Sequence, residues 1–173
     1  MRLARQTRFP ALLAVAALAA LALLAPTGGA QSTARCSAAQ LSGKVRLSSG
    51  AAGTAAVSIA IRNVSDHTCT LRGFPRLKLH NGSGPLPTLV RAGGLAILNE
   101  PVATVTLSPG ERASLLVTYS MVPTGAETSC AHATSLVIFL GNGHGKLTIP
   151  FSASPCNHGR LHESPFLSGL RPV

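Results

Sequence analysis

Three groups of residues have types and spacings that chemistry uses. "HGRLHE", residues 158–163, sets His158 and His162 four apart with Glu163 beside the second. On a helix that spacing suits a divalent metal. Gly159, Pro155 and Pro165 argue against a helix here, and on a strand the two rings would stand about 13 Å apart, too far to chelate alone. No metal or other cofactor is expected. Asp66 and His67 could supply the acid and base of a hydrolytic triad, but "GxSxG" is absent and Asp66 reads as a turn residue. The other acids, Glu100, Glu111, Glu127 and Glu163, form no obvious carboxylate pair for glycoside hydrolysis. The sequence therefore reads as a non-enzyme. A secreted hydrolase whose site assembles only in three dimensions, or a weak metal carrier, is the alternative.

The third group is cationic. Arg2, Arg5 and Arg8 precede an apolar run over residues 11–25, and small residues end at Ala30. That is the plan of a secretory signal peptide over 1–30, and the run is shorter than the roughly 20 residues a membrane span needs. Without those three arginines, the 15 basic residues against 5 acids leave about +7 on residues 31–173, read as one domain. Lys44, Arg46, Arg62, Arg72, Arg76 and Lys78 are scattered singly. Each is out of phase with its apolar neighbours, so they could share an outer, anion-binding face. Anionic cell-wall polymers or lipid headgroups are the expected partners of an exported or envelope-associated protein. Five Phe, one Tyr and no Trp weaken any case for stacking on nucleic acid.

The elements that position these residues are strands. "TAAVSIAIRNV" puts Val57, Ile59 and Ile61 on one face; "ATVTL", "ASLLVTY" and "KLTIPFS" alternate likewise. "SLVIFL" reads as a doubly buried strand. "SSGAAG", "NVSDH", "HNGSGP", "LSPGE" and "GNGHG" punctuate them as turns, and "GNGHG" marks the clearest hairpin. "SAAQLSG" alone could hold a helical turn. "NVS" at Asn63 and "NGS" at Asn81 match glycosylation sequons but read as turn chemistry. The fold class is all-β, an antiparallel immunoglobulin-like β-sandwich.

Four cysteines in an exported chain imply two disulfides. Cys36 precedes the first strand and Cys69 follows the second, so antiparallel pairing joins them. The same geometry joins Cys130 to Cys156. A four-cysteine metal site would want a CxxC pair, which is absent. Loops of 33 and 26 residues give each bridge about 3.5 kcal/mol in the chain-entropy model, an upper figure. In "TCTLRGFPRLKL", Gly73 lets the strand bend or approach a neighbour, and Pro75 cannot donate to a ladder. Such a kink lets a chain curve or change sheets.

"C-x4-L" at Cys36, "I-x-N-V-S-D-H-T-C-T-L-R-G-F-P" at 61–75, "V-T-L-S-P-G-E-R-A-S-L" at 105–115, Cys130 and "I-P-F-S-A-S-P-C" ending at Cys156 carry a resemblance. Over residues 36–170 the chain resembles the domain of unknown function numbered 4232, found mainly in exported actinobacterial proteins. The resemblance implies an exported or lipid-anchored β-sandwich and no assigned catalytic residues.

Overall fold

Period-two alternation becomes twelve strands in the computed structural model, which describes residues 33–141 and 143–173. The export signal expected over 1–30 lies outside those residues. β1 (Leu41–Ala51) and β2 (Thr54–Asn63) form a long antiparallel hairpin, with Leu41 opposite Asn63 and Ala51 opposite Thr54. Ala52 and Gly53 close it with φ of 48° and 77°, the left-handed pair that a two-residue hairpin turn requires.

β2 pairs with β8 (Arg112–Ser120), and β8 with β11 (Arg160–Glu163), which lies against β6 (Leu89–Ala92). β12 (Leu167–Ser168) continues alongside β8 and completes a six-stranded sheet. A second sheet runs β10 (Lys146–Ala153), β9 (Ala133–Phe139), β4 (Arg76–Asn81), β5 (Gly84–Pro85). β3 (Cys69–Arg72) and β7 (Thr104–Leu107) form a third. β9, the "SLVIFL" strand, is central in its sheet and buries Leu136, Val137 and Ile138 in succession. One apolar core draws on all three sheets, through Val57, Ile59 and Leu115, Leu79, Ile138 and Phe151, and Leu71 and Leu107.

The sequence predicts antiparallel pairing throughout, and one pair departs from it. β6 and β11 run parallel, with Leu89 opposite Arg160 and Ala92 opposite Glu163. β7 to β10 intervene between them, so no hairpin constrains their direction. Short 3₁₀ turns occur at Ala38–Gln40, inside "SAAQLSG", and at Ala96–Leu98, where the sequence carries no such signal.

The disulfides join Cys36 to Cys69 and Cys130 to Cys156, the pairs that antiparallel hairpins bring together, with Cα separations of 4.9 and 4.8 Å. The Gly-Phe-Pro break carries the chain from the two-stranded sheet, through β3, to the four-stranded sheet, through β4. Gly73 has φ of 83° and its carbonyl accepts from the Phe166 N–H at 3.0 Å. A Cβ there would meet nothing within 4 Å, so backbone conformation, not close approach, selects the glycine.

The start of β8 is fixed by an asparagine. Asn63 is fully buried, and its amide donates to the carbonyls of His67 (2.8 Å) and Leu107 (2.9 Å). Its Oδ1 accepts from the Ser65 N–H and hydroxyl. Its own backbone donates to Glu111 and accepts from Gly110. "NVSDH" is thereby tied to "LSPGE", where Pro109 and left-handed Gly110 close a turn from Ser108 to Glu111.

Candidate anion-binding groove

Alternation gives the six-stranded sheet two faces. Val57, Ile59 and Ile61 of β2 and Ala113, Leu115 and Val117 of β8 point into the core. Ser58 and Arg62, and Arg112, Ser114 and Leu116, point outward. The chain crosses the middle of this outer face after β12. The Ser114 hydroxyl donates to the Gly169 carbonyl (2.6 Å) and accepts from the Arg171 N–H (2.8 Å). The Ser58 hydroxyl donates to the Arg171 carbonyl (2.6 Å). Leu98, Leu116 and Leu167 pack beneath this crossing as a small second core, with Val173 against it.

The crossing leaves a groove at the start of β8. Arg46, Thr106, Glu111, Arg112, Ser168 and Leu170 line a cavity of about 420 Å³. Arg46 occupies the bulge of β1, where the register shifts between Val45 and Leu47. A bulge re-aims a side chain. Arg62 stands opposite Arg112 in the β2–β8 register, and its Nε donates to the Gly110 carbonyl at 3.2 Å. Two guanidinium groups directly opposed are destabilising unless an anion lies between or beside them. The one acid in the lining, Glu111, is turned onto its own loop, where it accepts from the Ser108 N–H at 2.8 Å. Among the described residues the only side-chain pair at ion-pair distance is Asp66 with His67. The arginines therefore present free donors suited to carboxylate or phosphate oxygens.

The six cations singled out from the sequence do not gather on one sheet. Lys44, Arg46 and Arg62 belong to the six-stranded sheet. Arg72 lies in the two-stranded sheet and donates to the Thr104 hydroxyl at 2.9 Å. Arg76 and Lys78 lie on β4 of the four-stranded sheet, where the Arg76 guanidinium sits 4.9 Å above the Phe139 ring. The Gly-Phe-Pro break separates the last two groups. Arg112 completes the groove and was missed, because in "GERASLLV" it reads as the edge of a turn.

The histidine motif is split as well. His158 lies in the turn Cys156–Gly159, where Asn157, His158 and Gly159 all have positive φ. His162 lies on β11, with its Nδ1 3.1 Å from the Gly93 carbonyl. Glu127 accepts from the Asn157 and His158 N–H groups at 2.7 and 3.1 Å, and these bonds hold its carboxyl below the usual range. Among the described residues, Glu127, Cys130 and Cys156 alone cluster as metal ligands do, and both sulfurs are taken by the disulfide. Asp66 and His67 are solvent-exposed, and the neighbouring Ser65 hydroxyl is bound to Asn63. Glu163 faces the core, only 3% exposed, with its Oε2 unpartnered. Burial pushes its carboxyl up to about 8.

The model of a family described as Domain of unknown function (DUF4232) matches residues 36–166. The chain belongs to that family. No curated protein and no solved structure matches it. Within this DUF4232 domain, the two longest sequence blocks that carried the resemblance meet at Asn63, which bonds His67 in one and Leu107 in the other. Those blocks build a corner and a disulfide. The groove lies beside them, and only Thr106, Glu111 and Arg112 of its lining fall inside them.

Proposed function

We propose that this DUF4232 protein is an exported, non-catalytic binding module of an actinobacterial envelope, with its larger sheets facing each other as an immunoglobulin-like sandwich. It holds anionic envelope polymers or lipid headgroups through the groove of Arg46 and Arg112, with Arg62 beside it. One observation carries this reading: Arg46 and Arg112 line one cavity of about 420 Å³, and among the described residues no carboxylate lies at ion-pair distance from either. The signal-like N-terminus, the two disulfides and the basic balance support export and an anionic partner.

The test is co-sedimentation with vesicles rich in phosphatidylglycerol and with polyphosphate. Binding should be retained at low salt and lost as ionic strength rises, since exposed charges are screened within about 8 Å at physiological salt. Arg46→Glu with Arg112→Glu should abolish it at least tenfold, and Arg76→Glu with Lys78→Glu should change it little. Equal losses from the two pairs would mean that diffuse charge, not the groove, attracts the polymer.

A further inference from the structure

A second cleft opens on the same outer face, at the opposite end of β8. Arg112 and Ser120 are separated by roughly 26 Å of extended strand, so the two openings are distinct. Arg160 and His162 of β11, Thr118, Tyr119 and Ser120 of β8, and Asn157 line a cavity of about 380 Å³. No carboxylate is in the lining, so Arg160 is its single uncompensated charge. The walls otherwise carry hydroxyls, an amide, an imidazole and Leu95.

Each side of the cleft is held in place. The roof is the chain after β6. The Gly93 N–H donates to the Glu163 carbonyl at 2.8 Å, and the Gly94 N–H donates to the Asn99 side chain at 3.2 Å. Gly94 has φ of 121°, and a Cβ on it would stand 2.6 Å from Nδ1 of His162. Glycine there lets the backbone lie directly on the imidazole. Nδ1 can bond the Gly93 carbonyl only as an N–H donor, and the tautomer that does so leaves Nε2 as an acceptor. The opposite wall is the left-handed turn. Asn157 and His158 are held at φ of 56° and 59°, a conformation non-glycine residues rarely keep, by the Glu127 carboxylate beneath them. The Asn157 Oδ1 also accepts from the Thr124 hydroxyl. Strain over-determined in this way presents Asn157 at the cleft edge.

We infer that this cleft binds a small polyhydroxylated carboxylate, the chemistry of a sugar acid. The Arg160 guanidinium supplies paired donors for the carboxylate. His162 Nε2 and the hydroxyls of Thr54 and Thr118 supply the acceptors and donors that ring hydroxyls need. A cavity of this size lies within the usual range for small-ligand sites. The site is independent of the arginine groove and does not rest on it.

The protein expressed from its full sequence is titrated with sodium glucuronate, glucose, glucose 6-phosphate and acetate, followed by amide chemical shifts. Glucuronate should shift the resonances of 118–120 and 160–162 and leave those of 111–112 unmoved. It should bind at least tenfold tighter than glucose or acetate. Arg160→Ala should remove that preference while the spectrum stays dispersed, and Arg160→Lys should restore part of it. Binding of glucose as tight as that of glucuronate would overturn the role of Arg160. A preference for the phosphate ester would overturn the carboxylate. Shifts centred on 111–112, or none at all, would overturn the site.

Discussion

Asn63 and Glu163 lie on the inner face of the same sheet, one at the end of β2 and one at the end of β11, and both are almost wholly buried. They differ in what surrounds them. Asn63 has both amide hydrogens and its oxygen engaged. Glu163 keeps an oxygen with no partner. Burying a polar group costs little when its bonds are made and much when they are not. The first site is therefore a fastening, and the second is a standing cost that stays small only while the carboxyl keeps its proton. Equal burial carries opposite signs.

The largest effect expected from that contrast is in pH. The folded-state value of Glu163 is raised to about 8, against an unfolded value near 4.3. Between those values the folded chain binds one proton more than the unfolded chain, so stability is full below about 4.3 and falls as pH rises, levelling above about 8. The loss is on the order of 5 kcal/mol across that window. Glu163→Gln should flatten the decline, read as the urea midpoint at several pH values. A midpoint that falls equally in both proteins would place the carboxyl in solvent.

Asn63→Ala should act in the other direction at every pH. It strands the His67 and Leu107 carbonyls and should lower stability by about 3 kcal/mol by chemical denaturation. A loss under about 1 kcal/mol would mean that the corner reorganises around the alanine. Glu127 gives a smaller counterpart. Its carboxyl is held low by two N–H donors, so its contribution is present above the ordinary value and is lost as pH falls through the depressed one. Glu127→Gln should lower the melting midpoint at pH 7 and should matter less in acid; the same deficit at pH 3 would contradict it. Smallest is Gly73→Ala. Open space surrounds the site, so only the positive φ is penalised, by about 1 kcal/mol. An unchanged melting midpoint would show that the backbone there relaxes to negative φ.

Much of this was legible in the sequence, because local rules decide it. Alternation places Val57, Ile59 and Ile61 on one face, and antiparallel neighbours bring Cys36 to Cys69 and Cys130 to Cys156. The left-out part is what depends on distant pairing. No local signal says that β3 and β4 join different sheets, and that division is what scatters the basic residues. Nor does one announce the parallel contact of β6 with β11, or the crossing of residues 169–171 over Ser114 and Ser58. Glu163 was more accessible. In "RLHE" it keeps step with buried Leu161, so alternation alone aims it inward.

The buried amide of Asn63 also bears on how the protein can be made. It heads the sequon Asn63-Val64-Ser65, and its nitrogen is committed to two carbonyls with no room for a sugar. In a host that attaches glycans to such sites during synthesis, modification of Asn63 would precede folding and bar it. The sequon at Asn81, the last residue of β4, is only partly covered and would tolerate the addition. Secretion from a glycosylating host should then yield folded molecules that carry sugar at Asn81 and never at Asn63.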